Sequence, residues 1–113
     1  MNPGRLRHRV TIESVETVDD SDGMRVETWT PIGQALPAEI MPMSGGELIA
    51  AATAQSKVTT RIRMRYRPDI VALDMRAVHR NTVYTIEAVV PDNTSGIRWI
   101  TLMCSSGADA SEG

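Results

Sequence analysis

From Val58 to Arg67 the chain alternates between two side-chain characters with a period of two, and this alternation restricts the fold more than any other feature. Val58, Thr60, Ile62, Met64 and Tyr66 fall on one face of an extended segment, and Arg61, Arg63, Arg65 and Arg67 on the other. The pattern predicts a strand with an apolar face toward a core and a row of guanidinium groups opposite, closed by Pro68-Asp69. Cations two residues apart on one face repel, so the strand demands an anionic counterpart: acidic neighbouring strands, a second subunit or a polyanion.

The remaining punctuation is also that of short strands. Residues 7 to 18 predict a first strand with Val10 and Ile12 inward, and Asp19-Asp20-Ser21-Asp22-Gly23 a turn or extended hairpin tip. Met24 to Ile32 predicts a second strand carrying Trp29. Pro31, Gly33 and Pro37 then interrupt it, so Ala35 to Met41 is expected as a separate, edge-like strand. At Ser44-Gly45-Gly46-Glu47 the period changes. Ser44 and Glu47 have capping-box spacing, and the run from Leu48 to Gln55 favours a short helix over about residues 45–55, inserted between two strands.

Past the arginine strand, Met75 to His79 and Thr82 to Val90 are expected as strands joined by a tight Arg80-Asn81 turn, with Tyr84, Ile86, Ala88 and Val90 on one face. Pro91 to Gly96 is a further turn. The last predicted strand, Ile97 to Cys104, is apolar on both sides and therefore asks to be covered on both. Residues 105–113 read as a flexible tail. The expected fold is mostly β: one small antiparallel barrel or sandwich of about six or seven strands over residues 1–104, with one inserted helix.

With 113 residues the chain can bury one modest core, built without Phe and with seven Met, and is helped by any assembly that buries more. The net charge of -2 disfavours a protein that grips nucleic acid through overall basicity. The charge is segregated instead, into a basic N-terminal arm of Arg5, Arg7 and Arg9, the arginine stripe, and the acidic loop at Asp19, Asp20 and Asp22. The single Cys104 fits a reducing compartment, and no stretch reads as a secretory signal or membrane span.

Enzyme chemistry fails on counting. His8 and His79 sit in no metal or nucleophile–base spacing, so no catalytic, cofactor or metal residues are assigned. The acidic loop resembles the middle of a calcium loop, but with Gly23 in its sixth position Val18 and Trp29 would stand where acidic ligands are required. A solvated hairpin tip explains it better. For the stripe, the plain reading is a strand face paired with Glu13, Glu27, Glu39 or Glu87. The sharper one is a surface that meets phosphates without reading bases, since no aromatics are interleaved for stacking.

The order of these motifs resembles the head-tail joining proteins of long-tailed bacteriophages and gene transfer agents, also called stoppers or head-completion proteins. The residues concerned are Pro3-Gly4-Arg5-Leu6-Arg7-His8-Arg9-Val10-Thr11-Ile12, Trp29, Ala38-Glu39-Ile40, Ser44-Gly45-Gly46-Glu47-Leu48, the strand from Arg61 to Pro68, and Val83 to Ala88. The resemblance implies a structural virion protein at the neck, a homo-oligomeric ring (a dodecamer) between portal or adaptor and tail terminator or tail protein. It also implies retention of packaged double-stranded DNA without sequence specificity, and a platform for the tail. It implies a long excursion between strands over residues 41–57, and makes Ser44 to Ile49 a candidate gating segment, the Arg stripe and Arg5, Arg7 and Arg9 candidate DNA or partner contacts, and Ile97, Trp99 and Met103 a candidate subunit interface. Two alternatives are a tail-completion or terminator ring and a monomeric OB-like nucleic-acid-binding barrel.

Overall fold

The computed structural model describes residues 6–72, 74–92 and 98–109. Six antiparallel strands, β1 (His8–Asp19), β2 (Arg25–Pro42), β3 (Thr60–Arg65), β4 (Met75–His79), β5 (Thr82–Pro91) and β6 (Trp99–Asp109), close into a barrel in the order β1-β2-β3-β6-β5-β4. One helix, α1 (Gly45–Thr53), stands between β2 and β3. Closure runs through β1, which pairs with β2 along its whole length and with β4 from Thr11 to Ser14. No strand is left as an edge along the barrel wall, which removes the hazard of edge-to-edge pairing.

The core is the inward half of each alternation: Val10, Ile12, Ala38, Ile62, Met64, Ala77, Ile86, Ile100, Leu102 and Cys104, sealed by Ile70 from the loop after β3. Burial pushes the Cys104 thiol up to about 12, with the Glu87 carboxylate adding to the shift, so the sulfur remains a protonated, small apolar side chain.

β2 differs from its reading as two strands. Pro31 and Pro37 lie within one continuous strand, which tolerates them because it bulges twice against β1, between Val10 and Glu13. Ala35 takes a left-handed φ of 51° there. The segment 35–41 is consequently not an edge: Ala38 pairs with His8 on one side and Met64 on the other. β5 bulges too, between Ile86 and Ala88, so Val89 rather than Ala88 joins Ile86 against the core, and Ala88 and Val90 are exposed. Tyr66 lies beyond the end of β3 and is exposed rather than buried. β6 continues to Asp109 through part of the expected tail, pairing with β5 as far as Thr82. The Arg80-Asn81 hairpin forms as read, with Arg80 at φ 55°.

Two parts stand off the barrel. The far ends of β1 and β2, Glu16 to Asp19 and Arg25 to Thr28, pair as a ribbon exposed on both faces, closed by Asp20, whose Oδ1 accepts from the amides of Asp22 (2.9 Å) and Met24 (2.8 Å). At the other end of β2 the chain leaves the sheet at Pro42 and enters α1, none of whose residues is buried. A core this small leaves little tolerance for voids. Ile62→Ala is expected to cost about 2–5 kcal/mol of unfolding free energy in urea titrations; a loss below about 1 kcal/mol would mean that β3 does not carry the core.

Candidate assembly interface

The arginine stripe is divided by its surroundings. At the α1 end, Arg61 Nη2 lies 3.0 Å from Glu47 Oε2, and that carboxylate is also part of the helix cap: Ser44 N donates to Glu47 Oε1 (3.0 Å) while Glu47 N donates to Ser44 Oγ (3.3 Å). The capping box read from the sequence is therefore also the clamp that ties α1 to β3. The Ser44 amide, with its hydroxyl and then Arg61, holds the Glu47 carboxyl below the usual carboxylate range.

Arg67 leaves the row where β3 ends. Its guanidinium meets Asp69 through two hydrogen bonds (3.0 and 2.7 Å) and donates to the Ile32 carbonyl (3.1 Å), bracing β2 against the loop after β3. Gly33 leaves room for this crossing, since a Cβ there would collide with the Arg67 guanidinium and reach 2.7 Å from Leu36 Cδ1.

Arg63 and Arg65 retain no carboxylate partner among the described residues. Glu39 is opposite Arg63 in register without forming an ion pair, and Arg63 Nε reaches only Thr101 Oγ1 at 3.5 Å. Arg65 lies over the Trp99 ring, 5.3 Å from its centroid. None of Glu13, Glu27, Glu39 or Glu87 pairs with the stripe. Glu13 instead binds Arg76 (2.6 Å), which lies 4.1 Å over the Trp29 ring and fixes the root of the ribbon, and Glu87 accepts from Ser105 (2.7 Å). That arrangement is set by register across strands far apart in sequence, which no local pattern reveals.

The outward face of β3 and β6 is thus cationic and apolar together, with Trp99 half-buried beside Arg65 and Met103 half-buried beside Arg61; Ile97, also expected there, lies outside the described residues. In the N-terminal arm, Arg7 and Arg9 are exposed and Arg5 is outside the described residues. His8 and His79 meet edge to face at 5.0 Å, and the His79 Nδ1 lies 3.0 Å from the Arg9 carbonyl. Ser44 to Ile49 is exposed throughout, with Ile49 71% and Leu48 39% accessible. Among the described residues no helix is long and apolar enough to cross a membrane.

Among the described residues the β3–β6 face thus combines cations that lack a carboxylate partner with half-buried apolar side chains, and no group of metal-ligating side chains adjoins it. The family model for the phage head completion protein matches residues 1–107. The chain belongs to the phage head completion family. It is 33% identical over 113 residues to head completion protein gp7 of Enterobacteria phage HK97, covering 96% of this chain and 99% of that one. The solution structure of protein SF1141 from Shigella flexneri 2a superposes with a TM-score of 0.73 at 32% identity, covering 96% of this chain and 98% of the other. Membership makes the chain a structural component of the virion at the head–tail interface and not an enzyme.

The Glu47 clamp has a defined pH dependence. Because the folded-state carboxyl titrates below its unfolded value, the stabilisation is present above the ordinary carboxylate pKa and is lost as pH falls through the lowered value. Backbone amide NMR signals of Ser44 and Leu48 should shift in that acidic window in the native protein and stay flat in Glu47→Gln, which retains a cap without the titration; identical titrations would place the charge elsewhere.

Proposed function

We propose that the chain assembles as a homo-oligomeric ring in the virion neck, between the portal or adaptor and the tail terminator or tail protein, where it retains packaged DNA and offers the surface on which the tail docks. The observation that carries this reading is that the barrel is double-ended. β2 runs the length of the molecule, from the exposed ribbon at one end to the unburied helix α1 at the other, so both ends present contact elements that the barrel itself does not use.

The α1 end suits the DNA side. Exposed Arg7, Arg9, Lys57 and Arg80 gather there, while its Glu47 is already engaged by Arg61. Such cations contact phosphates without sequence preference, as a channel lining requires. The clamped excursion carrying Ser44 to Ile49 is then the segment placed to narrow the channel. The ribbon end is acidic, with five carboxylates and one guanidinium between Glu16 and Thr28, and is unsuited to facing a polyanion.

Particles produced without this chain should contain heads that package DNA, lose it and carry no tails, with supply of the chain in trans restoring both. Deleting residues 44–56 should leave tailed particles that leak DNA, measured as nuclease-sensitive genome. Full, tailed particles in the absence of the chain would refute the role.

A further inference from the structure

We propose that the β1–β2 ribbon of one subunit lies against the outward β3–β6 face of the next, so that the Arg63/Arg65 pair finds its missing carboxylates on a second copy of this chain. The inference rests on the ring reading and names the surfaces that close it.

Three observations carry it. The ribbon is exposed on both faces yet keeps apolar side chains at its end: Val18 and Val26 are directly paired and 51% and 44% exposed, and Met24 is 64% exposed. A two-stranded ribbon in water is marginal unless something covers it. Its charge complements the face it would cover. Asp22 forms no ion pair among the described residues, and Arg63 and Arg65 none either, while Trp99 supplies an apolar floor beside them.

Position is the third. Arg65 pairs with Trp99 at the end of β3 farthest from Pro42 and α1, hence toward the ribbon end of the barrel. The ribbon rises from that end and runs on past Arg65: His8 is level with Ala38 and Met64, and Val18, paired with Val26, is ten residues further along β1. One copy's ribbon therefore reaches the next copy's face with neighbouring barrels inclined to the ring axis, and two different patches meeting head to tail form a ring where the rotation closes.

Asp22→Cys combined with Arg65→Cys, supplied to assembling particles and oxidised, should give a ladder of disulfide-linked multimers absent from either single variant, since the native Cys104 is buried. Multimers captured by formaldehyde in the same particles but no disulfide ladder would overturn the ribbon contact and leave the ring standing; no multimers with either treatment would overturn the ring and the contact together. Charge reversal gives an independent check: Asp22→Arg and Arg65→Asp should each lower the yield of infectious particles at least tenfold, and the double exchange should recover most of it. Failure of the double exchange to recover any yield, with each variant folded by NMR, would contradict the contact.

Discussion

Everything placed on the surface of this protein follows from closure of the sheet through β1. Once β1 pairs with β2 on one side and β4 on the other, every strand has two neighbours, and the inward half of each alternation must fill the small interior. The outward half has no freedom of register, because a slip of one residue would bury Arg61, Arg63 and Arg65 and expose Ile62 and Met64. The arginine row is thus held outward by the core beneath it. Its cations are matched where the fold supplies Glu47 and Asp69, and remain unmatched at Arg63 and Arg65.

Closure also accounts for the exposed parts. A barrel of six short strands cannot use all of an 18-residue β2, so its first residues project with β1 as a ribbon and its last lead into α1. The ribbon is rooted by Arg76, held between Glu13 and the Trp29 ring, and the helix by Arg61 on Glu47. Each projection is anchored at its base by one arginine while its apolar residues remain uncovered, as in a component whose stabilising contacts are completed by assembly.

Much of this was legible in the chain wherever the signal is local. Alternation along Thr60 to Arg65, the Ser44–Glu47 cap, the Arg80-Asn81 turn and the hairpin tip at Asp20 all reappear, because each is decided by residues within a few positions of one another. What could not be read was long-range. Pro31 and Pro37 signal strand breaks, and only pairing with β1 through two bulges makes β2 continuous. The bulge that turns Ala88 outward is likewise a property of the β5–β6 pair. At the candidate site, the sequence marked the four arginines and Trp99 but not their unequal fates, since Glu47, Asp69 and the Trp99 ring are brought to them by the fold rather than by spacing.

The central claim, a ring of this chain at the neck, is most directly tested by cryo-electron microscopy of intact particles. The account predicts closed-ring density between portal and tail that fits this barrel, with α1 toward the DNA and the ribbon end away from it. Particles whose neck lacks such a ring, with the protein instead bound as a monomer to DNA in solution, would contradict it.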